Sequence, residues 1–277
     1  MVKYLELVED VLTHGKLKKG SQAVSALTVY GRQIHYNLGE GFPLITTRDM
    51  SGSWRALVGE LLWIMSGSDK AGDLHKHGVH LWDQWATPQT SGKLGLPDGE
   101  LGPIYGPQLR NFGGKVDQLT QVIGMLQRNP NTRRAMISLW NLGDVEIDGV
   151  EKVFIAPCVA MLHFTHQDGE LGLHVFQRSA DVPIGVPFDV AEYALFLMLV
   201  AKEVGLKPST LVHTMSDTHI YEDQDPAMKE LLKRKPRSRP TITITDSPSG
   251  GLLDHRVEDF QLHGYDPHPR IKIPVAT

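Results

Sequence analysis

From Phe188 to Val204 the chain carries a run of apolar residues too long for a strand and too uniformly apolar for the stripe of a surface helix. A helix that is apolar on every side has to be covered on every side. The pattern therefore predicts a central helix over 188–204, begun in capping-box fashion by Asp189-Val190-Ala191-Glu192 and stopped at Gly205. With 277 residues, 41% of them hydrophobic and 22% charged, there is material enough to surround it in one large α/β domain spanning residues 1–277.

The rest of the chain supplies that surround. Trp54, Leu57, Val58, Leu61, Leu62 and Met65 recur at helical spacing and predict a buried helix over 53–65. Residues 135–140 and 158–164 read as strands, and Asp168-Gly169 joins the second to a strand over 171–176 as a hairpin. The sheet is thus at least partly antiparallel. A Gly- and Pro-rich surface loop is expected over 87–106, a helix over 118–127, a half-buried strand over 241–245, and a solvated basic run over 229–239. No internal repeat is present.

A formal charge of −4 argues against a general nucleic-acid binder. The chain has no uninterrupted apolar stretch of membrane-spanning length, and its first residues lack a targeting pattern, so a cytoplasmic location without membrane attachment is expected. Cys158 is the sole cysteine, which excludes an internal disulfide and a thiolate-rich metal site. No metal is expected.

Taken alone, Cys158 would more often be inert packing. The nearby strand ending in Gln177-Arg178-Ser179 changes that, because a cation beside a thiol favours the nucleophilic thiolate. Glu60 stands inside the apolar run Leu61, Leu62, Trp63, Ile64, where burial raises a carboxyl pKa towards the range useful for moving protons at neutral pH.

Ala156-Pro157-Cys158, then Gln177-Arg178-Ser179-Ala180-Asp181, then Gly185-Val186-Pro187-Phe188-Asp189-Val190-Ala191-Glu192-Tyr193-Ala194 closely resemble the thymidylate synthase family signature. Gly41-Phe42-Pro43-Leu44, Glu60-Leu61-Leu62-Trp63, Asp217-Thr218-His219-Ile220-Tyr221 and Gly264-Tyr265-Asp266-Pro267-His268-Pro269 resemble further family blocks in family order. The resemblance implies a thymidylate synthase-like fold, an α+β arrangement with a large mostly antiparallel or mixed sheet packed by helices. It implies Cys158 as the nucleophile, Glu60 as the proton carrier, and Gln177, Arg178, Ser179, His219 and Tyr221 around the nucleotide. Arg133 and Arg134 match phosphate ligands that the family contributes across a homodimer interface. Trp82, Trp85, Asp181, Gly185, Phe188 and the tail residue Ala276 match the pocket for 5,10-methylenetetrahydrofolate. The further phosphate arginine that the family carries near the N-terminus is replaced by Ser21, preceded by Lys18 and Lys19.

One departure bears on the substrate. Where the thymidylate synthases have asparagine, this sequence has Asp189. Asparagine matches uracil, whereas a protonated aspartic acid, or an aspartate facing a protonated N3, matches the amino group and bare N3 of cytosine. The histidine that usually follows the nucleophile is replaced by Val159. In both respects the chain resembles the deoxycytidylate (dCMP) hydroxymethylases. Four alternatives stand beside that reading: reductive C5 methylation of dCMP, hydroxymethylation of CMP, thymidylate synthesis from dUMP with Asp189 serving only as an N-cap, and a silent nucleotide-binding regulator.

Overall fold

The computed structural model describes residues 2–19, 24–247 and 249–275. In chain order its helices are α1 (Val2–His14), α2 (Trp54–Ser66), α3 (Ala71–His75), α4 (Pro88–Lys93), α5 (Tyr105–Arg110), α6 (Gln118–Arg128), α7 (Leu142–Val145), α8 (Gly185–Glu203) and α9 (Asp225–Leu232). The strands are β1 (Lys16–Lys18), β2 (Ala26–Asn37), β3 (Met136–Ser138), β4 (Glu146–Ile147), β5 (Val150–Glu151), β6 (Val159–Gln167), β7 (Glu170–Asp181), β8 (Lys207–Tyr221), β9 (Thr241–Ile244) and β10 (Phe260–His263). Six strands form one mixed sheet in the order β1-β2-β8-β7-β6-β3. All neighbours in it run antiparallel except β7 and β8, which are parallel.

Helix α8 is the centre of the core. Thirteen of its nineteen residues are buried, which explains why the run is apolar all round: β7 and β8 cover one side and α2 another. Burying each of Leu195, Phe196, Leu197 and Leu199 contributes roughly 1.5–3 kcal/mol. Helix α2 lies where periodicity predicts it and ends at Gly67, whose φ of 85° closes the last turn in the left-handed region. The hairpin between β6 and β7 also forms as predicted, with positive φ at both Asp168 (51°) and Gly169 (80°), as a two-residue primed turn demands.

Three expectations are corrected. Helix α8 begins at Gly185, four residues before Asp189, so Asp189 is not an N-cap; Ile184 holds that position. Pro187 does not interrupt the first turn, because the N–H it lacks has no intrahelical partner there. The stretch 87–106 is not loop throughout. Thr87 caps α4, its Oγ1 accepting from Thr90 N while Thr90 Oγ1 accepts from Thr87 N. The basic run 229–239 is not merely solvated either. Arg234 donates to the carbonyls of Thr47 (3.0 Å) and Pro269 (2.6 Å), Arg237 to Asp266 (2.6 Å), and Arg239 to the carbonyl of Asn37 (3.0 Å). Arg234 and Arg239 thus satisfy backbone carbonyls, and Arg237 pairs with a carboxylate. Residues 241–244 do form a strand, but it pairs with β10 outside the main sheet.

No described helix is long and apolar enough to cross a membrane.

Candidate active site

Cys158 is half-buried immediately before β6, beside a β-bulge between Val159 and Met161 that turns the strand's end. Two groups hold it. Its N–H donates to the Tyr105 hydroxyl at 2.8 Å, and Arg178 on β7 donates through Nε to Pro157 O (2.8 Å) and through Nη2 to Ala156 O (2.7 Å). The Arg178 guanidinium also lies 4.9 Å from the Trp140 ring centroid. The charge effect expected of Arg178 is present but does not prevail: burial, with the Asp189 carboxylate, pushes the thiol above its ordinary value, while Arg178 and Tyr105 pull it back. Arg178 therefore acts here first as a brace that sets the loop carrying the thiol.

Glu60 sits at the middle of α2, 7% exposed, and accepts a 2.6 Å bond from Trp82 Nε1. Burial raises its carboxyl to about 8 against the pull of that bond, with the nearby Asp189 raising it further. This is the environment predicted from the apolar run around it.

Asp189 projects from the second turn of α8 towards the end of β7. Its Oδ2 accepts from Gln177 Nε2 at 2.7 Å, and burial raises its carboxyl to about 7. The other N–H of the Gln177 amide goes to Ser179 O at 3.0 Å, and Gln177 Oε1 lies 2.6 Å from His213 Nε2 on β8. Burial lowers His213 to about 3, so it is neutral.

Glu192, one turn beyond Asp189, is 4% exposed and its Oε1 has no partner among the described residues. It borders a cavity of about 10 Å³ lined otherwise by Tyr193 and apolar side chains such as Leu61, Leu109 and Phe196. Burial first, then Glu60 and Asp189, push its carboxyl well above the ordinary range. The unfolded chain ionises this group near pH 4.3 while the fold retains the proton, so stability falls by about 1.4 kcal/mol per pH unit above that value until the folded group also ionises. Glu192→Met is accordingly expected to raise the unfolding temperature by more at pH 8 than near pH 4, where folded and unfolded chains both hold the proton. A gain of equal size at both pH values would show that the buried acid is not its source.

The parallel register of β7 and β8 sets Asp181 opposite His219 and Ser179 opposite Asp217. His219 is buried, its Nδ1 lies 3.2 Å from Asp217 Oδ1, and its ring meets Tyr221 edge-on at 5.1 Å. Lys18 on β1 bonds the other oxygen of Asp217.

Burial also raises the Asp181 carboxyl, whose Oδ1 accepts from Ile184 N at 3.2 Å. A Cβ added to Gly185 would stand 3.5 Å from Asp189 Oδ2 and 3.7 Å from Asp181, so any side chain there would fill the space both acids border. Gln224 links this wall to the C-terminal tail, with Nε2 donating to Pro274 O (3.1 Å). Trp85 packs edge-on to Trp82 at 5.3 Å, and Phe188 is partly buried against the core. Buried acids, aromatic faces and a space kept open by glycine fit a flat heterocycle with polar edges, as a pterin has.

Arg133 and Arg134 are exposed and are not brought to Cys158 of the same chain. They precede β3 at the far end of its pairing with β6 (Met136↔His163, Ser138↔Met161). Some seven residues at about 3.3 Å each, roughly 20 Å, separate that end from the thiol. Ser21 and Ala276 lie outside the described residues. Four neighbours went unrecognised in the sequence: Tyr105, because it begins α5 inside a stretch read as loop; Trp140 and His213, because nothing periodic marks a partner on another strand; and Glu192, because its spacing suggested a cap. Among the described residues the one group able to ligate a cation, His75, His80 and Asp83, is exposed, and both histidines already bond Asp83, at 2.6 and 2.8 Å.

The mixed sheet and the helices packed on it bring together a thiol and an arginine at the ends of β6 and β7 with carboxyls from β7, α2 and α8, the arrangement of an enzyme site. The profile of the thymidylate synthase family matches residues 2–277, and the chain belongs to that family. Its members carry out folate-dependent one-carbon transfer to C5 of a pyrimidine nucleotide, with methylenetetrahydrofolate as co-substrate.

Proposed function

We propose that the chain is a dCMP 5-hydroxymethyltransferase, converting dCMP, 5,10-methylenetetrahydrofolate and water to 5-hydroxymethyl-dCMP and tetrahydrofolate. The observation that carries this reading is the bond from Gln177 Nε2 to Asp189 Oδ2. A carboxyl held at about 7 and already given one donor can accept the cytosine amino group on Oδ2 while sharing a proton with N3 through Oδ1. Uracil presents the opposite pattern at both atoms.

In this reading the Cys158 thiolate adds to C6, which makes C5 nucleophilic towards the one-carbon unit that the folate supplies. Arg178 holds the nucleotide phosphate through Nη1, which has no partner among the described residues. His219 and Tyr221 hold the sugar. Asp181, Trp82, Trp85, Gly185 and Phe188 line the folate side. Glu60, poised near 8, takes and returns protons: the one lost from C5 as tetrahydrofolate departs and leaves an exocyclic methylene, and the one released when water adds to that methylene. Expulsion of the thiolate then restores the ring. The whole chain works as one catalytic domain. Arg133 and Arg134 complete the phosphate site of a second copy, so sedimentation should find a dimer; a monomer with full activity would exclude the shared site.

Mass spectrometry of the product tests the reaction, with dCMP, CMP and dUMP each incubated with methylenetetrahydrofolate in oxygen-18 water. Hydroxymethyl-dCMP carrying the heavy oxygen is the expected result. Methyl-dCMP would put hydride in place of water, product from CMP alone would move the substrate to the ribonucleotide, and turnover of dUMP alone would remove the cytosine reading.

A further inference from the structure

We infer that His213, which lies one residue removed from Asp189 in the chain of hydrogen bonds, is a positioning residue that decides which oxygen of Asp189 carries the proton and so favours cytosine over uracil. The inference rests on the proposed role of Asp189 as base reader.

Gln177 and His213 are each 1% exposed, so their polar atoms must find partners inside the protein. Both N–H groups of the Gln177 amide face atoms that accept, Asp189 Oδ2 and the carbonyl of Ser179. The amide oxygen is therefore the atom turned to His213, and since it can only accept, the imidazole carries its hydrogen on Nε2. The other ring nitrogen, Nδ1, is buried without a partner among the described residues, as suits a neutral ring held by one bond.

The consequence reaches Asp189. An oxygen that already receives the Gln177 hydrogen is the poorer place for the acid proton, which is left to Oδ1. Oδ1–H then meets the bare N3 of cytosine, and the remaining lone pair of Oδ2 meets the amino group. Were the amide reversed, Gln177 Oε1 would draw the proton to Oδ2, and Oδ1 would become an acceptor matched to the N3–H of uracil. Of the three bonds that hold the amide upright, the one from His213 is the only one to its oxygen. Losing it strands a buried acceptor and frees the amide to tilt away from Asp189, which weakens the donor that keeps the acid proton on Oδ1.

The test compares kcat/KM for dCMP and dUMP on the same enzyme, because general damage to the fold lowers both while a change of reading moves their ratio. His213→Leu is expected to cut the dCMP preference roughly tenfold, equivalent to about 1.4 kcal/mol, and to move upward the pH at which kcat/KM for dCMP falls as the Asp189 carboxyl ionises. His213→Gln, which returns a donor at similar reach, is expected to restore both. An unchanged ratio in His213→Leu, with Asp189→Asn shifting it, would overturn the inference and leave the base-reading role intact. An unchanged ratio in Asp189→Asn would instead overturn that role. Should His213→Leu not fold, Gln177→Glu keeps the shape and the acceptor for His213 but removes the donor to Asp189; it must lower the same ratio, and no change would overturn the inference.

Discussion

Replacing Cys158 by serine is expected to lower turnover by about four orders of magnitude or more, the scale seen when an enzyme loses its nucleophile, with the unfolding midpoint nearly unmoved. The two halves of that expectation have separate causes. A serine hydroxyl at this position has no adjacent base: Arg178 braces backbone carbonyls, and the Tyr105 hydroxyl, which accepts from the N–H of residue 158, is held protonated by burial. The side chain that changes is small and half-buried, so the fold loses little. Rapid-quench assay with dCMP and methylenetetrahydrofolate, alongside thermal unfolding, checks both. Residual turnover within tenfold of the parent would mean that the reaction proceeds without the thiolate.

Asp189→Asn is expected to reverse base preference from dCMP to dUMP. One well-made bidentate contact is worth roughly 1–3 kcal/mol of discrimination. The parent enjoys it with cytosine and the variant with uracil, so the ratio of kcat/KM values should change by roughly 10² to 10⁴. The pH profile changes with it. Pairing to cytosine needs one proton between Asp189 and N3, and this carboxyl loses its proton through about 7. Parent kcat/KM for dCMP should therefore fall as pH rises past about 7, and the variant acting on dUMP should lack that limb. A variant that retains both the dCMP preference and the limb would place base reading elsewhere.

Much of this architecture was legible in the residues because burial and local geometry speak through periodicity. The apolar run 188–204 announced a covered helix, Asp168-Gly169 announced a primed turn, and the apolar neighbours of Glu60 announced a raised carboxyl. What escaped depended on partners remote in sequence. Strands β2 and β8 bury polar residues, Thr28, His213, Thr218 and His219, which blurs their alternation, and their pairing (Val29↔Thr218, Ile34↔His213) spans most of the chain. Asp189 was misjudged in position because Asp189 and Glu192 have capping-box spacing, whereas the helix begins four residues earlier, at Gly185. The thiol environment was half legible. Arg178 is beside it, but sequence could not weigh that cation against burial and Asp189, and burial prevails.

The placement of β2 also governs how the polypeptide is made. This strand lies between β1 and β8, and its principal partner ends at Tyr221, 184 residues after Asn37 (221 − 37). At the usual 5–20 residues per second, a ribosome needs roughly 10 to 40 s to cover that distance. During that interval α1 and β1 can fold against β2, but its long hydrogen-bonding edge stays bare until β8 emerges. The nascent chain therefore exposes an aggregation-prone strand for much of its synthesis, and sparing the newborn protein falls to chaperones rather than to its own sheet.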